Sequence, residues 1–169
     1  MDTNALLPMR WAFPWIKIKR SSIVASESIS EILAEVRAIY QELAKRPVQR
    51  NCLARTECCQ FQLTGLTPQL TKGEALLAAK AFRSTGRREL PEADDGVCPM
   101  LKRATGRCLI YADRPFGCRT HFCDAAGGPY ARKEVLDLIR RLEDLDVRLK
   151  GDGPRKIVSA VADALAELR

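Results

Sequence analysis

Seven cysteines and one histidine are the residues of this 169-residue chain whose types and spacing could do chemistry. All of them fall between residues 52 and 123: Cys52, Cys58, Cys59, Cys98, Cys108, Cys118, His121 and Cys123. Cysteine sulfur and histidine nitrogen bind zinc, and cysteine thiolates also hold iron–sulfur clusters. Their neighbours are mostly Arg, Thr, Glu, Gly and Pro, whereas a structural free cysteine packs within apolar segments. The clustering predicts a metal centre built from these residues, in preference to redox disulfides or inert thiols.

The cysteine count and the N-terminal sequence bear on the redox compartment. An odd number of cysteines cannot all pair as disulfides. Residues 1–20 lack the continuous apolar region of a secretory signal. No stretch of the chain reaches the ~20 apolar residues that span a bilayer. We therefore expect a cytoplasmic protein without a membrane span, whose thiols stay reduced and free to bind metal.

The spacing of the cysteines favours an iron–sulfur cluster, with zinc as the alternative cofactor. Structural zinc usually takes two short cysteine pairs, whereas this chain has C-x5-C-C, isolated Cys98 and Cys108, and then C-x4-C. Iron–sulfur clusters accept irregular spacing because separated thiolates bind different irons. Cys58 and Cys59 are not expected to bind one small ion together, because successive side chains diverge in extended backbone. Seven cysteines and His121 would also supply enough donors for two four-donor sites.

Three stretches of the sequence resemble the CxxCxxCC family of bacterial cysteine-cluster proteins, described as zinc- or iron-chelating domains. These stretches are CLARTECC at residues 52–59, CPML at 98–101, and CLIYADRPFGCR at 108–119, with Cys123 beyond. The last of them matches the family pattern C-x-I-Y-x-x-R-P-x-x-C-R at every fixed position. The resemblance implies metal chelation, often by an iron–sulfur cluster, and assigns no reaction.

One position departs from the family pattern. The first family motif has four cysteines, but residue 55 of this chain is Arg55. Either one site is incomplete or His121 supplies the absent donor, and the sequence leaves both possibilities open. Cys108 and Cys118 are expected to reach one centre, because Pro115 fixes its own φ and turns the chain between them.

Two arginines, Arg114 and Arg119, flank Cys118. They either donate to the sulfurs of a bound group or pair with acidic residues such as Asp113 as part of the scaffold. His121 is the only imidazole, and near cysteines it suits a ligand better than a hydrolase triad. The sequence has no glycine-rich phosphate or dinucleotide loop. Catalytic residues therefore stay unassigned, and enzymatic activity is left undecided.

Three functions are compatible with these features. The first is an iron–sulfur protein in redox chemistry, sensing or electron transfer, with an unidentified redox or protein partner. The alternative is a zinc-stapled interaction module without catalysis. The net charge of +7 would also suit nucleic acid. That partner is not favoured, because the positive charge is spread along the chain and no recognition helix or RNA-binding signature is present.

Apolar residues at helical spacing predict four helices that must position the cysteines, over residues 28–45, 72–84, 131–150 and 154–168. Ser28 with Glu31 and Thr71 with Glu74 have capping-box spacing at the first two starts. Pro154 suits the first position of the last helix. The last two helices are expected to pack as an antiparallel hairpin. Hydrophobic residues form 46% of the chain, enough for a packed core.

The cysteine-rich middle has few periodic apolar positions, so metal ligation is expected to order it. Residues 96–101 and 107–111 can pair there as a short β-hairpin. The predicted fold is mainly α. Its parts are an N-terminal arm (1–25) and a single helical domain (26–169) around an irregular metal-binding region (52–123).

Overall fold

The computed structural model describes residues 28–46, 55–92 and 96–169. In these residues the fold consists of helices and very short strands. Six α-helices occur in these ranges: α1 (Ile29–Lys45), α2 (Phe61–Thr64), α3 (Lys72–Ser84), α4 (Phe116–Thr120), α5 (Leu136–Arg148) and α6 (Ile157–Glu167). The strands are β1 (Gln69–Leu70), β2 (Leu101–Lys102), β3 (Arg107–Cys108) and β4 (Arg155–Lys156). The predicted mainly α class is confirmed, whereas the predicted N-terminal arm lies outside the described residues.

Helix α3 lies between the other long helices and contacts α1, α5 and α6. Every residue from Gly73 to Ala79 is buried, so this part of α3 is covered on all sides instead of on the one face that its periodicity predicts. Gly73 permits the close approach of α1, because an added Cβ would lie 3.2 Å from Val36 Cγ2. Both predicted capping boxes form, at Ser28 and at Thr71.

The C-terminal helices differ from the prediction in their starts and in their packing. Helix α5 begins at Leu136, after a 3-10 turn over Arg132–Glu134. Helix α6 begins at Ile157 instead of Pro154, because the preceding residues form β4 and pair antiparallel with β1. The predicted hairpin is wrong: among the described helices, α6 packs mainly on α3, and α5 packs on α1 and α3. Within the described ranges, every helix is too short or too polar to cross a lipid bilayer.

Candidate metal centre

A β-hairpin places Cys108 in the cysteine-rich middle. Strands β2 and β3 pair antiparallel, with Leu101 opposite Cys108 and Lys102 opposite Arg107. The hairpin is the predicted one, but its ladder covers only two residues of each strand, and Lys102 belongs to the strand and not to the loop. One further bond extends it, since Leu109 N–H donates to the Met100 carbonyl at 2.8 Å.

A second pairing brings Cys98 against Cys59. The N–H of Cys98 donates to the Cys59 carbonyl at 2.7 Å, and Gln60 forms an antiparallel bridge with Val97. Residues 96–98 therefore pair with residues 59–61, not with the far end of the predicted hairpin. The sequence does not predict this contact, because a single bridge between distant segments leaves no periodic pattern.

Cys118 is carried by α4, whose start is fixed by a buried carboxylate. Glu74 is 3% exposed, and its Oε1 accepts from Phe116 N–H at 2.8 Å and from the Tyr40 hydroxyl at 3.0 Å. Its Oε2 accepts both the N–H and the hydroxyl of Thr71 at 3.1 Å. Glu74 thus joins α1, α3 and α4, and burial raises the pKa of its carboxyl.

Five of the predicted donors line one cavity of about 400 Å³: Cys58, Cys59, Cys98, Cys108 and Cys118. Cys98 is buried and the other four are half-buried. Phe61, Met100 and Ile110 supply much of the remaining wall. The fold therefore gathers thiols from separate segments of the chain, including the predicted pair Cys108 and Cys118, around one mostly apolar space.

Cys58 and Cys59 lie closer together than the sequence predicts. They belong to a 3-10 turn over Glu57–Cys59, and their Sγ atoms are 4.0 Å apart. The expectation assumed extended backbone, in which successive side chains diverge, and that assumption is wrong here. Two sulfurs bound tetrahedrally to one zinc ion at ~2.3 Å would lie roughly 3.8 Å apart, close to this separation.

The cavity makes the metal-free thiols weak acids. Burial raises the pKa of Cys118 well above its ordinary value, and the neighbouring thiols add to the shift. Burial also raises the pKa of Cys108, and a hydrogen bond with Cys59 followed by burial raises that of Cys58. The hydrogen bond with Cys58 lowers the pKa of Cys59, but one with Cys98 and burial outweigh it and bring it to about 12. Metal must therefore displace protons from these thiols.

The remaining predicted donors lie elsewhere. Of the described donors, His121 and Cys123 do not line the five-thiol cavity. His121 caps the end of α4, and Cys123 precedes the 3-10 turn Asp124–Ala126. Cys52 lies outside the described residues, and Arg55 pairs with Glu57 at 3.1 Å. A ligand role for His121, Cys123 or Cys52 stays a prediction.

The two arginines that flank Cys118 have different surroundings. Arg119 supports the loop before α4: its Nε donates to the Arg114 carbonyl at 2.7 Å, and its guanidinium lies 4.3 Å from the centre of the Tyr40 ring. Arg114 instead lines the five-thiol cavity. Asp113 pairs with Arg37 at 3.1 Å. Arg119 therefore has the structural role that the sequence offered as one alternative. Its partners are backbone carbonyls and an aromatic ring, not the acidic side chains that were expected.

The donor set fits a soft, thiophilic metal. Cysteine-rich sites select zinc, Cu(I) or iron–sulfur clusters over hard cations, which prefer oxygen. No group of three or more donors among the described residues is already close enough to hold a single ion. The five sulfurs instead surround a common cavity, and four of them would complete either zinc or a four-cysteine cluster.

Comparison with known families agrees with this chemistry. Residues 50–136 match the CxxCxxCC family, described as "Putative zinc- or iron-chelating domain". The match covers just over half of the chain, and the chain belongs to this family. The predicted resemblance is confirmed, and zinc or iron is the metal that the family description supports. No curated protein and no solved structure matches the chain.

Proposed function

We propose that this chain holds an iron–sulfur cluster in the five-thiol cavity and serves in redox chemistry, as an electron carrier, a sensor or the partner of a redox enzyme. One observation carries the proposal: five thiols surround a cavity of about 400 Å³. Among the described residues, no three metal-binding side chains converge on a single point. Separated thiolates suit a cluster because each of them binds a different iron.

The surroundings of the cavity support a redox role. Its wall contains apolar side chains such as Phe61 and Ile110, and solvent exposure and burial are among the properties that set the potential of a cluster. Four of the five thiols are half-buried, so the cavity lies near the protein surface. A cluster bound there would supply one-electron transfer, while the protein would supply ligands, burial and hydrogen bonds.

Zinc is the second candidate, and the Cys58–Cys59 pair favours it. Their 4.0 Å Sγ separation is near the roughly 3.8 Å expected for two ligands of one tetrahedral zinc ion. In that case the metal would staple the β2–β3 hairpin to α4, and the protein would act as an interaction module without catalysis. The two candidates differ in iron and sulfide content, so chemical analysis separates them.

We further propose that residues 26–169 form one domain and that the protein works in a reducing cytoplasm. The long helices α1, α3, α5 and α6 contact one another through α3, which supports a shared core. Free thiols around the cavity are consistent with a compartment that keeps cysteine reduced. The partner would be a redox protein or another protein, because no feature favours nucleic acid beyond the net charge.

Anaerobic purification tests the proposal. Iron, acid-labile sulfide and zinc are measured in the protein as isolated, together with its visible spectrum before and after dithionite reduction. We expect iron and sulfide in equal amounts and a broad absorption that bleaches on reduction. Stoichiometric zinc without iron would contradict the iron–sulfur proposal and favour the zinc interaction module. Cys118→Ser should lose the iron and sulfide. Cys123→Ser is its matched control, because Cys123 is a cysteine outside the cavity wall.

A further inference from the structure

Arg114 presents an unused hydrogen-bond donor at the five-thiol cavity. Its side chain lines the cavity, and its Nε is buried without a hydrogen-bond partner among the residues that the structure describes. Nearly all buried polar groups in folded proteins are hydrogen-bonded, so such an orphan donor needs an explanation. An acceptor that occupies the cavity would provide one.

The position of Arg114 is held from two sides. Its guanidinium lies 4.4 Å from the centre of the Tyr111 ring, and its carbonyl accepts the 2.7 Å bond from Arg119 Nε. The adjacent carboxylate of Asp113 pairs with Arg37 and not with Arg114. The positive charge of Arg114 is therefore left available to the cavity.

That charge acts on thiols from three segments of the chain. The guanidinium favours the thiolate forms of Cys58, Cys108 and Cys118 and so lowers their pKa values. Larger effects oppose it: the hydrogen bond with Cys59 and then burial at Cys58, and burial at Cys108 and Cys118. Four thiolates carry two more negative charges than a divalent ion can neutralise. In a mostly apolar cavity this excess is costly, and the half-buried Arg114, whose Nε is buried, offsets it better than an exposed cation would.

We infer that Arg114 recognises the bound metal–thiolate group, donating a hydrogen bond from Nε to one of its sulfurs and offsetting its negative charge. This inference rests on the proposed metal binding at the five-thiol cavity, but it applies to zinc and to an iron–sulfur cluster alike. Hydrogen bonds to metal-bound sulfur orient ligands and tune the metal, so Arg114 acts on both affinity and potential.

Co²⁺ titration under anaerobic conditions tests the inference, followed by the sulfur-to-cobalt absorption. Arg114→Gln should weaken binding about 10- to 100-fold, the usual cost of losing a group that supports metal ligands. Arg114→Lys should fall between, because it keeps the charge but loses the planar Nε donor. Arg103→Gln is the matched control, since Arg103 is exposed in the turn between β2 and β3 and is not part of the cavity wall, and it should stay within about twofold.

Equal Co²⁺ affinity for wild type and Arg114→Gln would overturn the inference, as would an equal loss in Arg103→Gln. A measurement on the wild-type protein covers the case in which Arg114→Gln fails to fold. The Arg114 Nε–H resonance is recorded by NMR before and after Zn²⁺ loading. A downfield shift and slower hydrogen exchange are expected, and an unchanged resonance would contradict the hydrogen bond.

These outcomes separate the inference from the proposed function. If the wild-type protein is isolated without iron but its Co²⁺ affinity still depends on Arg114, the iron–sulfur proposal ends and the inference stands. Iron and sulfide in the wild type, with an unchanged Co²⁺ affinity in Arg114→Gln, would support the iron–sulfur proposal and overturn the inference about Arg114. A wild-type chain that binds neither Co²⁺ nor Zn²⁺ through its thiols would overturn both. In a cluster-loaded protein, Arg114→Gln should also lower the reduction potential, whereas Arg103→Gln should not.

Discussion

The backbone N–H of Cys98 donates a 2.7 Å hydrogen bond to the carbonyl of Cys59. This bond joins two cysteines that lie in separate segments of the chain, and both of them line the five-thiol cavity. Part of the thiol set is therefore arranged by backbone pairing before metal enters. Ordering ligands in advance reduces the conformational entropy lost on binding, so this pairing favours metal capture.

Loading with Zn²⁺ should protect the cysteine-rich region much more than the helices. The β2–β3 ladder has two residues per strand, whereas every residue of α3 from Gly73 to Ala79 is buried. Hydrogen exchange should therefore slow at Cys98 and Leu109 on loading, while the amides of α3 change little. Equal protection of Cys98 and Leu109 with and without metal would show that ligation does not order this region.

Replacing a cavity cysteine should remove most of the metal. Cys108→Ser and Cys118→Ser are expected to do so, because serine is a poor ligand for soft metals at neutral pH. Cys123→Ser should keep the metal of the cavity, since Cys123 is not part of its wall. Metal content by elemental analysis decides the matter, and full retention in both cavity variants would disprove the site.

His121→Ala tests whether a second centre exists. The sequence leaves open that His121 replaces the donor absent at Arg55, and in the structure His121 is not part of the cavity wall. The variant should therefore keep the metal of the cavity. Metal lost from His121→Ala but retained in Cys108→Ser would belong to a separate site. A variant that loses the metal of the cavity would instead place His121 among its ligands.

Metal binding should release protons and strengthen as the pH rises. The raised pKa values of Cys58, Cys59, Cys108 and Cys118 keep these thiols protonated near pH 7 without metal. The metal-bound form needs thiolates, so lower pH favours the metal-free state. Zn²⁺ loading in weak buffer should release about four protons, one for each thiolate of a tetrahedral site. Release of one proton or none, followed with a pH indicator, would mean that the thiols are not the ligands.

Glu74→Gln should destabilise the fold, whereas the equivalent change at Glu31 should matter little. Both are capping-box glutamates, but Glu74 is buried and accepts four hydrogen bonds, while Glu31 is exposed. Glutamine leaves buried donors of Tyr40, Thr71 or Phe116 without an acceptor, which costs about 1–3 kcal/mol. Urea unfolding of the metal-free protein measures the difference, and equal losses in the two variants would contradict the role of Glu74.

Local signals in the sequence predict much of the fold. The capping boxes at Ser28 and Thr71 mark the starts of α1 and α3, because a helix start depends on residues within one turn. The turn between β2 and β3 is likewise encoded by neighbouring residues. The start of α6 is not local: Arg155 and Lys156 pair with β1, a distant segment, and that pairing delays the helix to Ile157.

In the candidate site, too, some features are encoded by neighbouring residues and others depend on distant segments of the chain. Residue type and clustering identify the cysteines, and the Pro115 turn predicts that Cys108 and Cys118 share a centre. The contact of Cys59 with Cys98 depends on one isolated bridge, which no periodic sequence pattern predicts. The closeness of Cys58 and Cys59 depends on a 3-10 turn instead of extended backbone. The orphan Nε of Arg114 is visible only once the cavity is formed.

X-ray absorption at the iron and zinc edges of the wild-type protein, purified anaerobically as isolated, tests the central claim most directly. The account predicts iron with sulfur neighbours and a second iron at short distance, since thiols around a shared cavity hold a cluster. Zinc surrounded by four sulfurs with no metal neighbour would contradict it and identify the centre as a structural zinc site.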